Sequence, residues 1–362
     1  MACKGETLIL CLVLLVASTR TVIRAETLKD ECPYSSFTWV GHQKDNPYFW
    51  KSPDFDWSST STLGVFGDIE ESADRSEMRD YAQALGIKVV VGTSPSDIDM
   101  NNETARQAWV TERVEYAQSK GLDGLNLDYE GHKPSDADGY SKVAVETCEA
   151  VHASIDGGVV SVDVPVYPHY EGRNYDYARL GASCDALFVM AYDGEFWDNV
   201  QCGGMATVNC SLACAPLQAV EFGVQQYLAL GVPAEKIFLG LPWYGLKYET
   251  IAKIPFFTGQ IDYQDVLDVM ASVGTKGKLT FDDASSTWIF DCGGLCRQWT
   301  DLITDRTDRI WFDDAVSLAP KYALGTKYSL GGVGMWEANK VAYDPNGTLP
   351  EPKAMWDALC QR

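Results

Sequence analysis

Histidine and basic residues are scarce in this 362-residue sequence. The four histidines, His42, His132, His152 and His169, show no spacing typical of metal ligands, so we expect no metal site and no cofactor. Lysine and arginine number 29 against 51 aspartates and glutamates, which gives a formal net charge of −22. Because so acidic a chain repels phosphate backbones, nucleic acid is a poor partner, and a neutral substrate fits better.

Long apolar runs are also missing, apart from Leu8–Val16, which is too short to span a bilayer. This run follows Lys4 and precedes small residues, which is the pattern of a secretory signal peptide. We predict that residues 1–25 are a signal peptide ending at Ala25, and that residues 26–362 form one mature domain. After removal of the signal we expect no membrane partner.

Cysteine, in contrast, is plentiful. Two of the eleven cysteines lie in the predicted signal peptide, and the other nine are Cys32, Cys148, Cys184, Cys202, Cys210, Cys214, Cys292, Cys296 and Cys360. In an oxidising compartment most of these should pair, and the odd number leaves at least one outside an intramolecular pair. Three N-glycosylation sequons, at Asn102, Asn209 and Asn346, also indicate a secreted glycoprotein.

Short β-rich runs alternate with longer helical patterns along the chain. Such alternation builds a parallel sheet, and eight units predict a (β/α)₈ TIM barrel of the α/β class. An open doubly wound sheet is the alternative, but no Gly-x-Gly-x-x-Gly turn follows the first run. The eight predicted strands are Phe37–Gly41, Thr62–Gly67, Lys88–Thr93, Leu122–Glu130, Val159–Val166, Asp185–Asp193, Lys236–Gly245 and Gly331–Asn339.

The interval between the seventh and eighth runs is unusually long. Residues 246–330 hold helical patterns and two short apolar segments, Thr287–Phe290 and Arg309–Phe312. We therefore predict a small α+β insertion between strands seven and eight, packed on the upper face of the barrel.

The fourth predicted strand carries an unusual row of polar residues. Side chains alternate between the two faces of a strand, so Asn126, Asp128 and Glu130 share the face that points into the barrel. Buried polar groups are costly unless they are paired, and barrel enzymes place their catalytic groups at the carboxyl ends of strands. The segment therefore predicts a catalytic site. A solvated edge strand or a helix cap is the alternative.

At this segment the sequence resembles glycoside hydrolase family 18, the chitinases and their relatives. The family motif is Asp-Gly-x-Asp-x-Asp-x-Glu, and this chain has Asp123, Gly124, Asn126, Asp128 and Glu130 in that spacing. The aspartate that most chitinases carry is replaced by Asn126, a variant similar to that of the di-N-acetylchitobiase branch.

Three other strand ends agree with this resemblance. Met190-Ala-Tyr192-Asp193 ends the sixth strand, Gly240-Leu-Pro-Trp-Tyr244-Gly ends the seventh, and Gly334-Met-Trp336 ends the eighth. The resemblance implies that Glu130, Asp128 and Tyr192 are catalytic. It also implies that Asn126, Asp193, Tyr244 and Trp336 bind substrate. From the parity of the fifth strand we expect Asp163 to form buried hydrogen bonds rather than to act in catalysis.

The resemblance implies substrate-assisted, retaining hydrolysis of β-1,4 linkages between N-acetylglucosamine units. Glu130, in a poorly solvated pocket, would protonate the leaving oxygen. Asp128 would accept the acetamido N–H, Tyr192 would hold the acetamido oxygen, and Trp336 would lie under the sugar. We expect Asn126 to hydrogen-bond Asp128 and to remove the carboxylate coupling that a second aspartate would bring.

The implied substrate is the chitobiose core of Asn-linked glycans or a small chito-oligosaccharide. The resemblance further implies a lysosomal or secreted enzyme, and we expect a monomer. The alternatives are an endo-acting chitinase and a non-catalytic chitin-binding lectin of the same fold. Family lectins typically lose the terminal acid of the motif, and Glu130 is present here.

Overall fold

A computed structural model describes residues 32–41, 48–69, 73–131, 133–193, 211–251, 254–293 and 306–361. Eight parallel strands close into a barrel, which confirms the predicted fold. The barrel strands are β1 (Ser35–Val40), β2 (Thr62–Val65), β3 (Lys88–Thr93), β4 (Gly124–Leu127), β5 (Val159–Pro165), β6 (Ala186–Met190), β7 (Ile237–Pro242) and β13 (Gly332–Trp336). Their order around the barrel is β1-β13-β7-β6-β5-β4-β3-β2.

From β2 onward, α-helices alternate with the barrel strands, as the sequence pattern predicts. Asn102 caps the helix Glu103–Ser119, because its side-chain oxygen accepts the backbone N–H of Ala105. Asp314 and Ser317 form a capping box at the start of a later helix. The described α-helices are Ala73–Ala84, Glu103–Ser119, Ala137–Ser154, Tyr177–Ser183, Leu217–Ala229, Tyr263–Val273, Ala315–Lys327 and Pro350–Leu359. Within the described residues, no helix combines the length and the apolar character that a membrane crossing requires.

A five-stranded antiparallel sheet follows β7 almost directly. Its strands are β8 (Tyr244–Ile251), β9 (Ile254–Asp262), β10 (Lys278–Asp282), β11 (Thr287–Asp291) and β12 (Arg306–Phe312). Their order in the sheet is β10-β11-β12-β8-β9, and Tyr263–Val273 is the helix that follows β9. The α+β insertion therefore occupies 244–312 in the structure, while the helix Ala315–Lys327 packs on β7 and β13 as a barrel helix.

A buried ion pair joins this sheet to the barrel. Lys321 and Asp313 are fully buried, and Lys321 Nζ lies 2.6 Å from Asp313 Oδ1. Lys321 also donates to the Thr287 hydroxyl on β11, 3.2 Å away. Burial raises the pKa of Asp313 and lowers the pKa of Lys321, because each charged form loses hydration.

Aromatic rings fill the interior of the barrel. Phe37 and Trp39 on β1 pack with Phe188 on β6. Glycines opposite the rings make room for them, since a Cβ on Gly64 would come within 2.8 Å of both β1 rings. One on Gly240 would come within 2.4 Å of the ring of Phe188.

Disulfides link distant parts of the fold. Cys32 pairs with Cys360 across 328 residues, and Cys148 pairs with Cys184. Cys292 is also disulfide-bonded. Cys202, Cys210 and Cys296 lie outside the described residues, as do the sequon at Asn209 and the predicted signal peptide. The other two sequon asparagines, Asn102 and Asn346, are exposed.

Candidate active site

Polar and aromatic side chains gather where β4, β5, β6 and β13 end. β4 itself ends at Leu127, so Asp128 and Glu130 lie just beyond the strand rather than within it. The backbone N–H of Asp128 still donates to the carbonyl of Thr93 on β3 at 2.9 Å, which continues the strand pairing by one step. Tyr192 and Asp193 follow the end of β6 in the same way. The sequence-predicted residues therefore lie at the carboxyl end of the barrel.

Asn126 is fully buried and is bonded to the neighbouring strand β5. Its Nδ2 donates to Ser161 Oγ at 2.9 Å and to Asp163 Oδ1 at 2.8 Å. This follows from the register, which places Asn126 opposite Ser161. The expected hydrogen bond from Asn126 to Asp128 is wrong for this structure, because β5 takes the amide protons and the Asn126 Oδ1 atom has no hydrogen-bond partner.

Asp128 is mostly shielded from solvent. Its Oδ1 atom is buried and has no hydrogen-bond partner in the protein. Burial raises the pKa of Asp128 to about 6, the negative charge of Glu130 adds to the rise, and the positive charge of Arg173 opposes it. A largely desolvated carboxylate oxygen with no protein donor can accept a hydrogen bond from a ligand.

Glu130 lies in a different environment. Its side chain is 57% exposed, and its Oε2 atom is 3.4 Å from Nη2 of Arg173, whose side chain is only 6% exposed. The expectation that Glu130 sits in a poorly solvated pocket is therefore wrong for this structure. The carboxyl group is instead open to an approaching ligand, with a buried cation on one side.

Tyr192 and Trp336 stand face to face beside these carboxyl groups. Their ring centroids are 6.5 Å apart and their planes differ by 24°. Burial raises the pKa of Tyr192 well above its usual value, and the charges of Asp163, Glu130 and Asp128 add to the rise. Tyr192 thus keeps its hydroxyl proton and can donate it in a hydrogen bond next to the carboxyl cluster.

Asp193 and Tyr244 form a second polar group at this end of the barrel. The buried hydroxyl of Tyr244 donates to Asp193 Oδ1, and Gln260 Nε2 on β9 donates to the same oxygen at 2.9 Å. The backbone N–H of Asp193 donates to Cys214 Sγ at 3.2 Å. The structure therefore brings both predicted residues together, with Tyr244 directed to Asp193, and it adds a contact from the insertion.

Several residues at the site have no counterpart among the sequence predictions. Arg173 lies in the loop after β5, where strand parity gives no information, and Gln260 belongs to the insertion. Trp39 and Phe66 contact Trp336, with ring centroids 5.6 Å and 5.2 Å away. Trp39 shares the inward parity of Phe37 on β1, a signal that could have identified it.

Asp163 forms the buried hydrogen bond expected of it, and it also interacts with the carboxyl cluster. Burial raises its pKa well above the usual value, the charge of Asp128 adds to the rise, and the hydrogen bond from Asn126 opposes it. The expected loss of carboxylate coupling is therefore wrong for this structure, since Asp163 on β5 supplies a second carboxyl group next to Asp128. Among the described residues, no group of three or more His, Cys, Asp or Glu side chains could hold a metal ion.

Comparisons with known proteins point to one family. The family model for glycosyl hydrolases family 18 matches residues 76–340, which is more than half of the chain. Di-N-acetylchitobiase of Rattus norvegicus is 30% identical over 370 residues, covering 92% of this chain and 94% of the relative. Di-N-acetylchitobiase of Homo sapiens is 28% identical over 86% of this chain and 80% of the relative.

Solved structures share the fold at lower identity. A chitinase from Chromobacterium violaceum superimposes with a TM-score of 0.68 at 20% identity, covering 91% of this chain and 98% of the other. A family 18 chitinase from Cycas revoluta, in complex with (GlcNAc)3, gives a TM-score of 0.67 at 17% identity, over 90% and 99% of the two chains. These likenesses show a common barrel architecture.

Proposed function

The chain belongs to glycosyl hydrolases family 18, and we propose that it hydrolyses β-1,4 linkages between N-acetylglucosamine units by substrate-assisted, retaining catalysis. The enzyme is a chitinase-like glycosidase by family. Its substrate class is supported by relatives named di-N-acetylchitobiase that match most of the chain. The proposed substrates are the chitobiose core of Asn-linked glycans and small chito-oligosaccharides.

One observation carries the proposed mechanism: Asp128 has a buried oxygen without a protein donor. Its charge interacts with an exposed acid, Glu130, and with the protonated hydroxyl of Tyr192. In the proposed reaction Glu130 gives its proton to the glycosidic oxygen as the C1–O bond breaks. The acetamido oxygen of the same sugar attacks C1 and forms a cyclic oxazolinium intermediate. Glu130 then takes a proton from water, whose oxygen opens the ring at C1 with retained configuration.

Asp128 and Tyr192 act on the acetamido group in this proposal. The anionic form of Asp128 accepts its N–H and stabilises the positive charge of the intermediate. The Tyr192 hydroxyl donates to the acetamido oxygen and holds it for attack, while Trp336 supports the sugar ring. A bound sugar would displace water from the exposed carboxyl group of Glu130.

The proposed cellular route is the secretory pathway, ending in the lysosome or outside the cell. Two described disulfides support an oxidising compartment, and the exposed sequon residues Asn102 and Asn346 are accessible for glycosylation. We infer that residues 1–25 are removed and that residues 26–362 form the mature enzyme. N-terminal sequencing of the secreted protein tests this boundary.

The function is tested with wild type and Glu130→Gln on chromogenic chitobiosides and on defined chito-oligosaccharides. Loss of the proton donor should lower kcat by about 10²-fold to 10⁴-fold, while sugar binding persists. Glu149→Gln makes the same change at an exposed helix position and should behave as wild type. Release of single sugars from one end supports chitobiase-like action, whereas internal cleavage indicates an endo-chitinase.

Two outcomes contradict the proposal. A fully active Glu130→Gln variant refutes the assignment of the proton donor. Sugar binding by the wild type without any hydrolysis refutes the catalytic function and indicates a lectin.

A further inference from the structure

Two side chains on β5 hold the side-chain amide of Asn126. Ser161 and Asp163 both contact its Nδ2 atom, at 2.9 Å and 2.8 Å, so both amide protons point to β5. The Oδ1 atom is turned to the other side, where it lies 3.9 Å from the position that a Cβ on Gly92 of β3 would occupy.

This orientation leaves two acceptors on one face of the β4 segment. Asn126 Oδ1 and Asp128 Oδ1 are both buried, and neither has a hydrogen-bond partner in the protein. The two residues are two positions apart, so they share the interior face of the segment. Asn126 and Asp128 form no hydrogen bond in this structure. A protonated Asp128 that turns toward Asn126 Oδ1, or a ligand N–H, would supply the missing donor.

We propose that Asp163 is a positioning residue for the reaction, which together with Ser161 locks the Asn126 amide so that its carbonyl oxygen stays available to Asp128. The inference rests on the proposed function, because it assigns Asp163 a task within that mechanism. Asp163 itself lies behind Asn126 and is only 6% exposed. It acts through Asn126 and is not expected to touch the sugar.

The charges around Asp163 favour this arrangement. The groups that act on it or respond to it are Asp128 and Glu130 after β4, Tyr192 after β6, and Tyr140 of the helix Ala137–Ser154. Burial and the Asp128 charge raise the pKa of Asp163, so it keeps its proton to a higher pH than an ordinary carboxyl group. In that form it accepts the Asn126 amide without adding a third negative charge to the cluster.

The first experiment compares Asp163→Leu with Asp163→Asn. Leucine removes the acceptor, so kcat should fall by about 10-fold to 100-fold while KM stays within about two-fold, because the acetamido contact is misplaced and not removed. Asparagine offers an oxygen to Asn126 Nδ2 and should recover most of the lost kcat. Equal losses in the two variants, or an unchanged kcat in Asp163→Leu, would overturn the proposal.

The second experiment exchanges the two side chains and does not depend on the leucine variant being folded. Asn126→Asp alone adds a carboxyl group beside Asp128, which should raise the pKa of Asp128 and move the acid limb of the kcat/KM profile to higher pH. In the double variant Asn126→Asp/Asp163→Asn, the amide introduced at position 163 donates a hydrogen bond to the carboxylate introduced at position 126. The acid limb should return toward the wild-type position, and kcat should exceed that of Asn126→Asp by about five-fold or more.

If the losses of kcat in Asn126→Asp and in Asp163→Asn simply add in the double variant, the positioning role of Asp163 is contradicted. Asp185→Asn serves as the control, since Asp185 lies outside the site and bonds His152 and the Val160 backbone. The wild type and Glu130→Gln are measured in the same assay. An inactive wild type refutes the proposed function, whereas Glu130-dependent activity that ignores Asp163 refutes only the present inference.

Discussion

The guanidinium group of Arg173 lies 3.4 Å from the carboxylate of Glu130, although the first side chain is 6% exposed and the second 57%. The arginine is thus fixed within the protein, while the acid beside it meets the solvent. The same cation lowers the pKa of Asp128, against the effects of burial and of the Glu130 charge. One buried arginine therefore acts on both carboxyl groups to which the proposed mechanism assigns chemistry.

Replacing Arg173 should change the pH dependence of the reaction. In Arg173→Met the pKa of Asp128 should rise above its value of about 6, because a stabilising positive charge is lost. Since the anion of Asp128 is the active form, the acid limb of kcat/KM should move to higher pH by about one unit. Arg173→Lys keeps the charge and should move it less. A limb that stays in place, or moves to lower pH, contradicts this reading of Arg173.

Removing the Tyr192 hydroxyl should reduce turnover more than binding. Tyr192→Phe keeps the ring that faces Trp336 but cannot donate to the acetamido oxygen. We expect kcat to fall by about 10²-fold with little change in KM, as when one preorganised donor is lost from an active site. Steady-state kinetics on a chitobioside measure this, with Tyr328→Phe, which lies outside the site, as the control. A variant with wild-type kcat would exclude Tyr192 from the mechanism.

Stability should depend on pH through Asp128. Its pKa in the folded protein, about 6, lies above the ordinary 3.8, so the folded state binds more protons between these values. The free energy of unfolding should therefore fall as the pH rises from about 4 to 6, and stay low above that. Asp128→Asn removes this titration, and its stability relative to wild type should improve by about 2 to 3 kcal/mol between pH 4 and pH 7.

Urea unfolding at the two pH values measures this difference, which does not depend on other effects of the substitution that are the same at both. If the stability of Asp128→Asn relative to wild type is the same at both pH values, or is lower at pH 7 than at pH 4, Asp128 does not carry a raised pKa in the folded protein.

The Lys321–Asp313 pair should be costly to break on one side. Lys321→Met leaves a fully buried carboxylate without its cation, and we expect a loss of about 3 to 5 kcal/mol in the free energy of unfolding. The double variant Lys321→Met/Asp313→Leu removes both charges and should be more stable than the single one. Urea denaturation measures both. A single variant within 1 kcal/mol of wild type would mean that water or another group takes over the lysine's role.

The alternation of strands and helices was enough to predict the barrel, and strand parity placed Asn126, Asp128 and Glu130 on one face at the end of the fourth strand. Tyr192 and Trp336 were proposed only from the resemblance to the family, because no periodicity distinguishes them from packing aromatics. Arg173 and Gln260 were not predicted, since their positions depend on the path of a loop and on the folding of the insertion sheet. No periodicity in the sequence encodes either.

The hydrogen bonds of the Asn126 amide are a second feature that the sequence alone does not predict. The parity of the fourth strand correctly predicts that the Asn126 side chain is buried, but the expected hydrogen bond to Asp128 is not formed. The amide is instead bonded to Ser161 and Asp163 on β5, because register sets Asn126 opposite Ser161. Register between strands separated by a whole helix is a property of the assembled sheet, and so the carboxyl coupling of the site could be located only in the structure.

The Cys32–Cys360 bond turns nearly the whole described chain into a covalent ring. A protease that cuts once inside this ring releases no fragment, because both pieces stay tied through the two sulfur atoms. Such a nicked enzyme would migrate as one species on a gel until a reducing agent is added. In a compartment rich in proteases, this disulfide would hold the two parts of a cleaved chain together, so that the strands of the barrel could stay packed.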